Sequence, residues 1–130
     1  TEKSLEEHEK KILVVATGGM YSEVQKAIRS VLLSDGYADL YLLRFIKPLD
    51  EYYFIELAKK YYGIVFVEDG VITGGIGEYL NGLLARHDFT NTKVLGFEDK
   101  YYSHGTRSDV LEAAGLDSKH IERAIKECAK

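Results

Sequence analysis

"VEDGVITGGIGEYL", residues 67–80, sets two adjacent carboxylates, Glu68 and Asp69, at the end of an apolar run and follows them with glycines at 70, 74, 75 and 77. The run "GIVFVED" (63–69) is short, β-branched and aromatic, so it reads as a strand, whereas "GEYLNGLLARH" beyond the glycines reads as a helix. A near-continuously apolar strand that turns directly into a helix is the repeating unit of a buried parallel sheet. The same unit recurs on both sides. "KILVVAT" (11–17), "DLYLLRFI" (39–46) and "TKVLGF" (92–97) are further strands. After the first, Ser22 with Gln25 spells a capping box, and Val24, Ala27, Ile28, Val31 and Leu32 follow at helical spacing up to Gly36. Pro48 and Asp50 open the next helix, which carries Phe54, Leu57, Ala58 and Tyr61 on one face before Gly63 closes it. Thr106 and Asp117 read as caps of two last helices, the second with Ile121, Ala124, Ile125 and Cys128 on one stripe, which places that thiol in the core. The expectation is a three-layer α/β/α domain over residues 11–130, on a mostly parallel sheet of four to five strands. Residues 1–10 are expected to be a linker or an edge strand from an upstream region.

Length and composition narrow the function classes. At 130 residues the chain suits one domain around one core. No apolar run approaches the roughly 20 residues that span a bilayer, and "TEKSLEEHEKK" at the start is charged where a secretory signal would be apolar. No membrane partner is expected, and the cytoplasm is the default location. Lys and Arg total 17 against 21 Asp and Glu, a formal net charge of -4 with the basic residues scattered, so nucleic acid is not an expected partner. One cysteine and four distant histidines, His8, His87, His104 and His120, make no metal-ligand motif, and no metal site is expected. The chain opens at Thr1 without a methionine, so it is expected to be a piece of a longer polypeptide.

Ligands and partners of open α/β sheets meet the carboxyl ends of the strands, which singles out the loops at 17–22, 47–50, 68–77 and 98–107. "TGGMYS" can aim backbone N–H groups of a helix start at an anion. It lacks the third glycine of a dinucleotide fingerprint, and Asp39 falls at the start of the next strand instead of its end. "GGIGEYL" has Leu80 where that third glycine belongs, and neither loop continues into the Gly-Lys-Ser/Thr of a P-loop. Glycines for a tight turn and close packing are the favoured reading of both. Glu68 and Asp69 could act as an acid–base pair. Adjacent residues of an extended chain point to opposite sides, however, so a carboxylate here more often accepts hydrogen bonds from a loop or a helix N-terminus. "SHGTRSD" (103–109) gathers His104, Thr106 and Arg107, as an anion contact or simply as a capped helix with exposed side chains. The doubled tyrosines of "EYYFIELAKKYY" and "DKYYSHG" cannot all be buried by one helix face, and exposed aromatics of this kind are enriched at interfaces.

Together "LVVATGGMYSEV" (13–24), "LRFIKPLD" (43–50), "VEDGVITGGIGEYL" (67–80) and "GFEDKYYSHGTRSDVLEAAGLD" (96–117) resemble the C-terminal domain of the transketolase-like, thiamine-diphosphate-dependent enzymes. "RFIKPLD" and the "VEDG…GGIG" loop look shared with transketolases and 2-oxoacid dehydrogenase β subunits. His104 and Gly105 with "TRSDVLEAAGLD" look most like the 1-deoxy-D-xylulose-5-phosphate synthases. The resemblance implies an enzyme that condenses pyruvate with glyceraldehyde 3-phosphate and releases carbon dioxide. It also implies that thiamine diphosphate and Mg2+ lie in upstream domains, so no cofactor and no catalytic residue are expected here. Partners would be the upstream domains of the same chain and a second subunit in a homodimer. The family's diphosphate–magnesium signature runs from Gly-Asp-Gly to an asparagine; "EDG" (68–70) lacks the first glycine, and Asn91 sits in a polar turn. The family fold also carries an antiparallel strand near its start, which "SLEEHEKK" matches poorly.

On this reading Glu68, Asp69, Gly70, Gly74, Gly75, Gly77, Tyr101 and Tyr102 are interface residues. Any anion contacts would come from Gly18, Gly19 and Ser22, or from His104 and Arg107. Two alternatives stand beside it: a C-terminal domain of a transketolase or dehydrogenase β subunit, and a stand-alone module that binds a protein or a small anion.

Overall fold

The computed structural model describes residues 10–43, 50–98 and 105–130. The elements in chain order are β1 (Ile12–Thr17), a 3-10 turn (Gly18–Met20), α1 (Tyr21–Leu33), β2 (Ala38–Leu43), α2 (Glu51–Ala58), β3 (Gly63–Val71), α3 (Ile76–Ala85), β4 (Thr92–Phe97), α4 (Arg107–Ala114) and α5 (Ser118–Cys128). All four strands run parallel in the order β2-β1-β3-β4. Four strands alternating with helices agree with the α/β expectation; residues 1–9 lie outside the described residues, so the linker or edge strand expected there does too.

Strand periodicity divides the core into two layers. Ile12, Val14 and Ala16 of β1 with Val65 and Val67 of β3 face α1, α4 and α5, where Val24, Ala27, Leu111, Ile121 and Cys128 cover them. Leu13, Val15, Ile64 and Phe66 face α2 and α3, against Phe54, Ala58, Leu80 and Leu84. The two central strands are buried on both faces, which is why their sequences are continuous apolar runs and do not alternate. Cys128 is buried in this packing, with Sγ toward the Ile64 carbonyl at 3.8 Å, and burial pushes its thiol up.

Two expected helix caps differ in detail. Ser22 is not an N-cap: the 3-10 turn feeds straight into α1 through Tyr21 N–H to the Gly18 carbonyl, so the helix starts without a side-chain cap, and Gln25 donates to the Tyr21 hydroxyl. Asp117 holds the N-cap position of α5, but its carboxylate pairs with His120 Nδ1. Glu23 of α1 reaches across instead and accepts the Ser118 N–H at 2.9 Å. Asp50 and Thr106 cap α2 and α4 as expected, the latter in a complete capping box with Asp109. Pro48 lies outside the described residues.

The pole where the strands begin is fastened by side chains. Tyr62 N–H donates to the Lys11 carbonyl at 2.9 Å, and its hydroxyl donates to the Lys130 carbonyl at 3.2 Å. Asn91 Nδ2 donates to the carbonyls of Tyr62 at 3.0 Å and Cys128 at 2.8 Å. Lys10 and Lys11 lie over the rings of Tyr62 and Tyr61. Beside them the Tyr61 hydroxyl donates to Asp39 at 2.6 Å; burial first, then this bond, raise the Tyr61 phenol far above its ordinary value.

Asn91→Ala removes both carbonyl partners and should lower stability in urea unfolding by about 1–2 kcal/mol. Because the folded state favours the neutral Tyr61 phenol, its stabilising contribution is complete below the ordinary tyrosine pKa of about 10 and is lost as pH climbs beyond it. Urea midpoints should therefore hold up to about pH 10 on this account and then fall, and Tyr61→Phe should flatten the fall.

Candidate functional site

The chain crosses from one half of the sheet to the other between β1 and β3, so the loops at their carboxyl ends flank the switch point of the order 2-1-3-4. At this carboxyl pole β3 keeps its period-2 alternation through Glu68 and Asp69. Glu68, in phase with Ile64 and Phe66, turns to the α3 side, and Asp69, in phase with Val65 and Val67, turns to the side of α1 and α4. The two carboxylates do not converge. Next to them the pairing with β4 slips, because β3 runs from Val67 to Val71 while β4 runs only from Leu95 to Phe97.

Glu68 is the buried charged residue of the described core, and its Oε1 accepts the Gly77 N–H at 2.8 Å. Gly77 is the second residue of α3, behind the N-cap Gly75. A helix whose N-cap has no side chain is thus capped by a carboxylate from the neighbouring strand, a charge-assisted bond at the positive end of the helix dipole. Glu78 of the same first turn reaches back to the Gly74 N–H. The glycines make room for this carboxylate. A Cβ on Gly75 would stand 2.0 Å from Glu68 Oε2, and one on Gly77 would stand 3.3 Å from both Glu68 Oε1 and the Phe66 Cβ. The close packing expected of these two glycines is therefore packing against side chains, Glu68 above all.

Asp69 ties the other side. Its N–H donates to Thr17 Oγ1 at 2.9 Å, and its Oδ2 accepts from Arg107 Nη2 at 3.0 Å, while the same nitrogen lies 3.3 Å from the Gly19 carbonyl. A Cβ on Gly19 would meet Asp69 Oδ2 at 2.1 Å. Of the anion-contact candidates the structure thus brings Gly19 and Arg107 together, around a carboxylate of the chain itself. Gly18 is exposed, with open space where a Cβ would stand, and Ser22 is exposed on α1. His104, Tyr101 and Tyr102 lie outside the described residues. The Arg107–Asp69 pair is exposed, so it contributes at most about 1 kcal/mol. Gly70 is half-buried beside the Glu68 side chain, and Gly74 takes a left-handed φ of 78° in the exposed turn.

The cleft between the two loops, lined by Val15, Thr17, Leu43, Phe66, Glu68 and Gly77, leaves no room for a water molecule. A larger hollow lined by Ile12, Val31, Tyr37 and Ile125 opens at the opposite pole, away from all of these groups. Among the described residues no group of three His, Cys, Asp or Glu side chains could hold a metal ion, and no helix is long and apolar enough to cross a membrane. Thr17 was missed in the sequence because a threonine ending an apolar strand has no distinguishing signal; its partner is 52 residues away.

Gly75→Ala should cost about 1–3 kcal/mol in urea unfolding, since the new Cβ displaces a buried, hydrogen-bonded carboxylate. Gly19→Ala should cost less, because Asp69 can swing into solvent. In the Glu68→Ala background the added cost of Gly75→Ala should largely vanish, a coupling that a double-mutant cycle reads directly.

The family model described as "Transketolase, C-terminal domain" matches residues 3–121. The 1-deoxy-D-xylulose-5-phosphate synthase of Treponema pallidum is 47% identical over 116 residues, covering 88% of this chain and 18% of that protein. The synthase of Bacteroides thetaiotaomicron is 34% identical over 122 residues, covering 92% of this chain and 19% of that one. The chain therefore spans less than a fifth of the length of these curated relatives. Among solved structures a split-gene transketolase, described as an inactive β4 tetramer, superposes with a TM-score of 0.80 at 21% identity, over 92% of this chain and 39% of that one. With the fold, the resemblance of its motifs and the family match in agreement, the chain belongs to the transketolase C-terminal domain family.

Proposed function

We propose that this chain is the C-terminal domain of a thiamine-diphosphate-dependent synthase that condenses pyruvate with glyceraldehyde 3-phosphate to 1-deoxy-D-xylulose 5-phosphate and carbon dioxide, in the cytoplasm. The observation that carries the reaction is the 47% identity to a synthase of that name over most of this chain. The domain's own part is structural: it packs against preceding domains of the same polypeptide and against a second subunit of a homodimer.

The state of the switch point supports a structural part. An α/β domain that binds a ligand there keeps N–H groups and side chains open to it. Here Glu68 engages the Gly77 N–H, Asp69 engages Arg107 and Thr17, and the cleft between them is filled. These donors do not fit thiamine diphosphate with Mg2+: the "EDG" carboxylates point apart and are taken up within the domain. The cofactor is therefore assigned to the preceding domains, and no chemical step is routed through this one.

Thiamine diphosphate with Mg2+, titrated into this domain in a calorimeter, should give no saturable heat, whereas the intact polypeptide should bind the cofactor and release carbon dioxide from pyruvate when glyceraldehyde 3-phosphate is present. Saturable binding by the domain alone would sink the structural assignment. Ketol transfer between sugar phosphates without carbon dioxide release would move the intact enzyme to the transketolase branch.

A further inference from the structure

The hollow at the pole where the strands begin and the outer face of α5 meet at one residue, Lys126. α5 turns Ile121, Ala124, Ile125 and Cys128 to the core. On its exposed side Lys119, Arg123 and Lys126 follow at i, i+4 and i+7, and Lys130 continues the line just past the helix. Basic residues that are scattered over the sequence as a whole thus gather into a ridge, on a chain of net charge -4. The two acids beside the ridge are both engaged: Glu122 accepts from Lys126 at 2.8 Å, and Glu127 pairs with Lys93 at 3.1 Å. Among the described residues no carboxylate reaches Lys119 or Arg123. The hollow itself measures about 330 Å3, at the lower end of the roughly 300–1,000 Å3 typical of small-molecule sites. Ile12, Val31, Ile125 and Ala129 give it an apolar floor, and its rim carries Lys10 and Lys126 against one acid, Asp35. Lys10 is held over the Tyr62 ring, 5.6 Å from its centroid, instead of by a carboxylate.

We propose that this pole binds a small amphipathic anion, its apolar body seated in the hollow and its phosphate, sulfonate or carboxylate group held at the mouth by Lys126 and Arg123. Each half of the site selects one half of the ligand. Apolar walls favour an apolar body over water. Cations without an acid partner favour a negative group, and a guanidinium can engage two of its oxygens at once. A nucleic acid needs a broad positive face. Here the cations stand in single file beside a concave, apolar space, which suits a compact molecule with one charged end. The site lies at the other end of the sheet from Glu68 and Asp69, so the inference holds whichever reaction the intact enzyme performs.

The test titrates n-hexyl phosphate into the intact polypeptide in a calorimeter, with thiamine diphosphate and Mg2+ saturating. A saturable heat is expected that weakens as salt is raised, because the cations are exposed. Ala129→Phe, which fills the hollow from a half-buried position, should abolish it. Lys126→Gln with Arg123→Gln should weaken it several-fold, and Lys59→Gln on α2, an equally exposed lysine, should leave it unchanged. These exposed substitutions leave the core intact, so they decide the matter even if the Ala129 variant fails to fold. No heat with the parent protein, or heat that survives Lys126→Gln with Arg123→Gln undiminished, overturns the proposal. So does n-hexanol binding as tightly as n-hexyl phosphate, which would leave the ridge without a part. Tight binding to phosphatidylglycerol vesicles with no response to n-hexyl phosphate overturns it in favour of a lipid surface.

Discussion

The alternation of side chains at the end of β3 is the constraint on which the carboxyl pole depends. Because successive residues of an extended strand face opposite ways, "ED" delivers one carboxylate to each layer of the sandwich. Glu68 holds the first turn of α3, and Asp69 holds Thr17 of β1 and Arg107 of α4. Two adjacent residues thereby link both helical layers to the central strands. The glycines follow from this arrangement. Gly75 and Gly19 are small because a carboxylate of the neighbouring strand occupies the space their Cβ atoms would need.

This arrangement gives the open-sheet fold an unusual use. In many α/β proteins the switch point gathers N–H groups and acids around a ligand. Here the equivalent groups are taken up by side chains of the same domain, which turns the location into a rigid platform. On the proposed reading the domain's part is structural, an example of how little a shared fold says about chemistry.

Much of the fold is legible in the sequence because the signals are local. Buried parallel strands are continuous apolar runs, and Asp50 and Thr106 announce helices through bonds that span three residues. What stays hidden depends on distant partners. The Ser22 and Gln25 pattern has the right spacing, yet the preceding turn of Gly18–Met20 already supplies the helix start. Asp117 faces a histidine three residues on, and Glu23 takes over its backbone partner from another helix. Glu68 was legible as an acceptor for a helix N-terminus, but that Gly77 would be the donor required the loop's path. Asn91 reads as an ordinary turn residue, and nothing local tells that it closes the opposite pole.

That closure has a mechanical consequence. Lys11 at the start of β1 and Lys130 beyond α5 are both bonded to Tyr62, and Asn91 adds Cys128 to the same knot. A tension applied between Lys10 and Lys130 would be concentrated on these few bonds, because the two points lie side by side. Once they part, α5 would peel from the sheet contact by contact, as in a zipper, without the strands having to slide past one another in shear. The domain would resist such a pull weakly for its size, while a load applied across the carboxyl pole would meet both layers at once.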